Sequence, residues 1–204
     1  MIRVLSVDDH PLLLEGIAGL LSIQPDMELA AEACNGREAV ELFRRHRPDI
    51  TLMDLQMPEM DGIDATSAIC SEFPGSCIIV LTTYVGDIQV KRAIQAGARA
   101  YLLKGLLRKE LIETIRAVHA GHKRMSPEVA AEIAEHSSDD SLTGREVDVL
   151  RLIAGGNANK EIAARLSITE ETVKGYVKNV LAKLCAKDRT HAVTIGLKRG
   201  IIDL

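Results

Sequence analysis

Five times in its first 122 residues this chain sets a short apolar run ahead of a helical pattern, and that alternation restricts its fold more than any other feature. The runs are residues 2–7, 28–33, 50–53, 77–81 and 100–103, and the helices that follow span about residues 11–23, 37–45, 63–72, 87–96 and 109–120. Pro11 suits a first helical turn, while Gly97 and Gly121 suit the ends of the fourth and fifth helices. Runs this short and apolar are strands covered on both faces, which requires a parallel sheet with helices on each side. The expected architecture is therefore α/β, a doubly wound five-stranded parallel sheet.

In an open sheet of this kind ligands bind beyond the carboxyl ends of the strands, so the residues at those ends form a set. Asp8 and Asp9 close the first strand, Asp54 the third, Thr82 the fourth and Lys104 the fifth. Asp54 alone would read as a helix cap, since Pro58 and Asp61-Gly62 mark a turn into the next helix. Its company argues for chemistry. Three clustered carboxylates repel one another and partly protonate unless a cation lies among them, and hard oxygen ligands with one open side suit Mg²⁺. The Lys104 charge and the Thr82 hydroxyl can neutralise a phosphoryl group carried on Asp54, because phosphoryl transfer is chiefly positioning and charge stabilisation.

The segments Val7-Asp8-Asp9-His10, Asp54-Leu55-Gln56-Met57-Pro58-Glu59-Met60-Asp61-Gly62, Leu81-Thr82 and Tyr101-Leu102-Leu103-Lys104 resemble the receiver domain of two-component response regulators. The resemblance covers residues 1–122 and implies a flavodoxin-like fold. It implies Asp54 as phosphoacceptor, Asp8, Asp9, Asp54 and the Gln56 backbone carbonyl as the Mg²⁺ site, and Thr82 and Lys104 as phosphoryl contacts. Tyr101 would be the aromatic that swings inward when Thr82 moves. Gln56 and Tyr84 stand where relatives tune the lifetime of the phosphoryl group.

Charge is distributed unevenly along the chain. Formal net charge is −5 over residues 1–122, −3 over 123–140 and +4 over 141–204. A basic final portion on an acidic body is a cue for a second, nucleic-acid-binding domain. Residues 123–140 read as a linker in which Ser126-Pro127 starts a short helix with Val129, Ala130, Ile133 and Ala134 on one face, followed by a flexible acidic stretch. The four cysteines form no Cys-x-x-Cys pair and suit reduced thiols. No apolar run is long enough to cross a membrane, and the expected location is the cytoplasm.

Residues 141–204 carry an all-α pattern. Thr143-Gly144-Arg145-Glu146 is a capping box ahead of a helix that ends at Gly155-Gly156. A short helix over 160–166, a tight turn at Ser167-Ile168 and a longer helix capped by Thr169 give helix-turn-helix spacing. Val173, Val177, Val180, Leu181 and Leu184 face the core, leaving Lys174, Gly175 and Lys178 on the other face near the helix start. A solvated protein-interaction module fits this periodicity as well as a DNA reader does. Leu142-Thr-Gly-Arg-Glu146, Asn159-Lys-Glu-Ile-Ala163, Thr172-Val-Lys174, Lys183-Leu184 and Asp188-Arg-Thr190 resemble the LuxR/NarL-type DNA-binding domain. That resemblance implies Lys174, Gly175 and Lys178 toward the major groove, Lys160, Thr172 and Arg189 near the DNA backbone, and the last helix in a DNA-bound dimer interface. Cys185-Ala186 replace a common Gly-Val pair.

Together these features imply a NarL/FixJ-type response regulator transcription factor, not a metabolic enzyme. Its implied partners are a sensor histidine kinase, double-stranded promoter DNA and a second copy of itself in an active homodimer, with no membrane involvement. Two other readings stay open. One is a phosphorylation-independent DNA-binding regulator that keeps the acidic pocket. The other is a phosphohydrolase, against which the chain has no Asp-x-Asp pair at Asp54.

Overall fold

The computed structural model describes residues 1–83, 87–125, 129–130 and 142–202. The chain divides into two compact units, the first drawn mainly from residues 1–131 and the second from 132–204. In the first, strands β1 (Ile2–Val7), β2 (Met27–Ala33), β3 (Ile50–Asp54), β4 (Ile78–Thr82), β5 (Ala100–Leu103) and β6 (Arg124–Met125) form one sheet. Its order is β2-β1-β3-β4-β5-β6, and every neighbouring pair is parallel. The connections carry α1 (Pro11–Ser22), α2 (Gly36–His46), α3 (Gly62–Glu72), α4 (Asp87–Ala96) and α5 (Leu107–His119).

Period-two alternation sorts the strand side chains onto two cores. Val4, Leu52, Ile79, Leu81 and Leu102 pack with Ile17 and Leu21 of α1 and Leu111, Ile115 and Val118 of α5. Leu5, Val7, Met53 and Ile78 pack with Val40 and Phe43 of α2 and Ala65 and Ile69 of α3. Each such side chain, fully buried, contributes roughly 1.5–3 kcal/mol of transfer free energy, which is why the strands read as continuous apolar runs.

The sheet has six strands where five were expected. Gly121, at φ +91°, turns the chain after α5, and Arg124 N–H then donates to the Arg99 carbonyl at 3.2 Å, laying β6 along the open edge of β5. Two residues are too few to carry a strand periodicity, so only the free hydrogen-bonding groups of the β5 edge determine the pairing. The short helix expected after Ser126-Pro127 lies outside the described residues apart from Val129 and Ala130, as does Tyr84.

The second unit holds α6 (Gly144–Ala154), α7 (Asn159–Leu166), α8 (Glu170–Lys183) and α9 (Arg189–Lys198). Ser167 adopts a left-handed φ of 55° in the tight turn between α7 and α8, and Thr169 Oγ1 caps α8 by accepting from Thr172 N–H. Two apolar clusters hold the unit: Leu150, Val180, Leu184 and Ala192 in one, and Val149, Ile153, Ile162, Ala163 and Val173 in the other. Cys185 stands at φ +49° just past α8, with Ala186 N–H bonded to the Leu181 carbonyl and Cys185 N–H to that of Ala182. That is the helix-ending geometry glycine favours, adopted here by a cysteine. All four cysteines are free thiols. Among the described residues no helix is long and apolar enough to cross a membrane.

The capping box does more than close a helix. Glu146 Oε2 accepts from Thr143 N–H at 2.7 Å and from Lys183 Nζ, at the end of α8, at 2.8 Å. Burial pushes the Glu146 carboxyl up, but the Lys183 ammonium and the Thr143 donors outweigh it and hold the pKa below the ordinary 4.5. A carboxylate with a depressed folded pKa stabilises the fold above its unfolded pKa and loses that contribution as pH falls through the folded one. Glu146→Gln should therefore cost about 1–2 kcal/mol at pH 7, read by urea unfolding of the full chain, with the gap closing as the pH drops below about 4. An unchanged gap at acid pH would mean that the pair contributes only its shape.

Candidate functional site

Register brings the strand ends level. Val7 is paired with Met53, Asp54 with Leu81, and Thr82 with Leu103, so the residues that close β1, β3, β4 and β5 share one edge of the sheet. Lys104 opens a 3₁₀ turn (Lys104–Leu106) directly after β5 and reaches back across that edge. Its Nζ lies 2.7 Å from Asp8 Oδ2 and 3.1 Å from Asp54 Oδ2. Asp54 Oδ1 accepts from Leu55 N–H at 2.8 Å, and Asp8 Oδ1 from His10 N–H at 3.0 Å. Asp8 is wholly buried, Asp54 is 3% exposed and the Lys104 side chain 13%, so these charges act largely shielded from water.

Burial is the largest influence on Asp54 and pushes its carboxyl up; Lys104 opposes the rise and Asp8 adds to it. Burial alone would lower Lys104, but Asp8 and Asp54 hold its ammonium above the ordinary value. The two upward shifts have different causes: burial dominates at Asp54, with the Asp8 charge adding to it, whereas Lys104 is raised because its ammonium is stabilised by two carboxylates. The pocket is short of positive charge.

Thr82, the last residue of β4, is buried at the same edge. Tyr101 is 2% exposed, so its ring lies inside the fold. Burial raises its phenol to about 12, and the neighbouring Thr82 side chain pulls the other way. Gln56 is exposed in the loop just beyond β3. One ligand atom from each of Asp8, Asp9, His10 and Asp54 lies within 4.8 Å of the others. The carboxylate oxygens of this set fit a hard divalent cation such as Mg²⁺.

Two residues of the pocket escape notice in the sequence. His10 turns its ring onto the acids, with Nδ1 2.7 Å from Asp9 Oδ1; a histidine in a loop carries no sequence signal for that. Gly62 looks like a turn residue, but a Cβ there would lie 1.8 Å from the Asp54 carbonyl oxygen. The proximity of Asp61-Gly62 to the strand end is the signal that could have found it.

In the helical unit, Lys174, Gly175 and Lys178 are exposed on α8, opposite buried Val173, Val180 and Leu184. Lys160 on α7, Thr172 and Arg189 are exposed as well. Several are already engaged: Lys174 Nζ lies 3.2 Å from Glu171 Oε2, the Thr172 hydroxyl 2.8 Å from that of Thr169, and Arg189 donates to the Asn157 carbonyl at 2.8 Å.

The chain belongs to the two-component response regulators that join a receiver domain to a LuxR-type DNA-binding domain. Residues 4–116 match the response regulator receiver domain, and residues 140–195 match the bacterial regulatory proteins of the luxR family. It is 42% identical over 211 residues to the transcriptional regulatory protein LiaR of Bacillus subtilis, covering 100% of both chains. It is 38% identical over 206 residues to the response regulator VraR of Staphylococcus aureus, covering 98% of this chain and 99% of that one. Among solved structures, RcsB of Salmonella enterica serovar Typhimurium, bound to promoter DNA in the presence of a beryllofluoride phosphomimetic, aligns with a TM-score of 0.75 at 25% identity over 98% of each chain.

Proposed function

We propose that residues 1–122 are a receiver whose Asp54 takes a phosphoryl group from a sensor histidine kinase, and that this modification controls dimerisation and promoter binding by residues 141–204 through the linker 123–140. The reading rests on the placement of a buried, electron-rich Asp54 carboxylate within 3.1 Å of the Lys104 ammonium and beside Asp8 and Asp9. Asp54 attacks phosphorus as the donor's phosphorus–nitrogen bond breaks, and Lys104 and Thr82 neutralise the transferred oxygens. Asp8, Asp9, Asp54 and the Gln56 backbone carbonyl hold Mg²⁺, which when bound supplies the positive charge that the pocket lacks. The acyl phosphate later hydrolyses in place, and no external substrate is turned over. The added charge biases a two-state arrangement of Thr82, Lys104 and Tyr101. The protein acts in the cytoplasm.

On the DNA side, α8 enters the major groove with Lys174, Gly175 and Lys178, while Lys160, Thr172 and Arg189 meet the backbone. Lys174 exchanges Glu171 for DNA when it binds. Lys174→Ala and Lys178→Ala should each weaken binding, with a salt slope lower by about one for a lysine that meets a phosphate and a relaxed base preference for one that meets a base edge, measured by fluorescence anisotropy over a salt series; unchanged affinity and slope in both would remove α8 from the interface. Gly175 faces open space, so Gly175→Ala should stabilise the helical unit by about 0.8–1.0 kcal/mol while weakening operator binding. Equal affinity and base preference would show that glycine is merely tolerated there.

The full reading is tested by intact-mass spectrometry after incubation with Mg²⁺ and acetyl phosphate, with operator titrations in parallel. One phosphoryl gain in wild type, none in Asp54→Asn, and tighter DNA binding by the modified protein are expected. If beryllofluoride changes neither dimerisation nor DNA affinity, the phosphorylation-independent regulator is the correct reading.

A further inference from the structure

Glu171 is not among the residues that the resemblance places on DNA, yet it lies on the face of α8 that carries them. It precedes Lys174, Gly175 and Lys178 by three, four and seven positions, the spacing of one helical face, and it stands opposite the buried Val180. Its side chain is 84% exposed, and its Oε2 lies 3.2 Å from Lys174 Nζ, so the carboxylate reaches along that face toward the lysine. Lys174 is its only side-chain partner among the described residues.

The start of α8 does not need this acid. Thr169 Oγ1 already caps it, accepting from Thr172 N–H at 3.1 Å and lying 2.8 Å from the Thr172 hydroxyl. Glu170 brings a negative charge to the same helix terminus from a position to one side of the face. With α8 in the major groove, Glu171 meets the DNA together with the two lysines. Phosphates repel it. Once Lys174 turns to the DNA, the carboxylate loses its donor and becomes an unpaired charge in a desolvated interface, which is costly unless another donor takes over. The major groove offers two kinds, the amino groups of adenine N6 and cytosine N4. Adenine sets its N7 acceptor beside the amino group, against a carboxylate, whereas the outer neighbour of cytosine N4 is a C–H. Gly175, one turn further on, has nothing within 4 Å of the place a Cβ would take, so no side chain there holds the helix away from the base edges.

We propose that Glu171 is a specificity-determining residue of the DNA-binding unit, its carboxylate accepting a hydrogen bond from the N4 amino group of a cytosine in the site. The inference rests on the reading that α8 enters the major groove. Guanine and thymine turn only acceptors toward Glu171 and are rejected by charge, so the acid discriminates where the lysines chiefly attract.

The test is selection of sites from a randomised duplex library by the full-length protein with Mg²⁺ and beryllofluoride, comparing wild type with Glu171→Ala, Glu171→Gln and Glu170→Gln. Wild type should enrich a cytosine that Glu171→Ala no longer selects, with the other positions kept. Glu171→Gln should move that preference to adenine, whose N6 and N7 a glutamine engages together. Glu170→Gln should retain the wild-type pattern, because that acid acts on the helix terminus alone. In anisotropy titrations, replacing the cytosine in the selected duplex should weaken wild-type binding by about fivefold or more and Glu171→Ala binding by less than about twofold. Unchanged selection by both Glu171 variants, or tighter binding of Glu171→Ala to every sequence with the cytosine preference intact, would overturn the assignment and leave α8 in the groove. Lys174→Ala and Lys178→Ala variants with wild-type affinity and selection would overturn the groove placement itself, and the inference with it.

Discussion

Gly62→Ala should destabilise the receiver unit by about 3 kcal/mol, the upper end of overpacking costs, and should abolish phosphoryl uptake at Asp54. The first turn of α3 rests directly on the end of β3. A Cβ at position 62 would lie 1.8 Å from the Asp54 carbonyl oxygen, 2.8 Å from its carbonyl carbon and 3.0 Å from Leu55 Cα. All three are backbone atoms, so no side chain can rotate away. The contact is also hydrogen-bonded: Gly62 N–H donates to the Leu55 carbonyl at 3.0 Å, and Asp61 caps the helix by accepting from Asp64 N–H at 2.7 Å. A methyl group forces either α3 to lift, unpacking the fully buried Ala65 and Ile69, or the end of β3 to shift and carry Asp54 away from Lys104. The second route is costly for chemistry, since a displacement of about 1 Å can cost two orders of magnitude in rate. Urea unfolding and intact-mass phosphorylation assays on the same preparation check both halves. Wild-type stability with normal phosphoryl gain would show that α3 is free to slide.

Asp54→Asn should have the opposite effect on stability, raising it by about 1 kcal/mol at pH 7 while removing the phosphoacceptor. The folded pKa of Asp54 lies above its ordinary 3.8, chiefly through burial, so the folded chain binds that proton more tightly than the unfolded chain does. The Asp54 contribution to stability therefore declines as pH rises from about 3.9 through the folded pKa, and the full penalty persists above it. Removing one member of a buried ion pair is ordinarily costly because it strands the other. Here Lys104 keeps Asp8 at 2.7 Å, so no charge is stranded. The asparagine advantage should appear between acid and neutral pH in denaturation curves, and Mg²⁺ should reduce it by stabilising the wild type more. A variant less stable than wild type at pH 7 would mean that the Asp54–Lys104 attraction outweighs the cost of burying the carboxylate.

What the sequence by itself determined follows from short-range rules. Strands buried on both faces must be continuously apolar, so five of them were visible with their helices, and a parallel sheet places every carboxyl end on one edge. Asp8, Asp54, Thr82 and Lys104 were legible as a group for that reason, without any knowledge of packing. The same locality made the Thr143–Glu146 capping box and the outward face of α8 readable, because both depend on residues three or four apart. Tertiary structure alone decided the rest. The pairing of β6 with β5 depends on an edge left open by the fold, and the burial of the Tyr101 ring depends on what surrounds β5. The Glu146–Lys183 bond joins residues 37 apart in the chain. Gly62 is indispensable only because α3 meets the Asp54 backbone, and His10 acquires its acidic neighbours only when the loop before α1 is held in place. Periodicity and capping act within one or two turns of chain, whereas these contacts depend on the distance between elements, which only the packed fold defines.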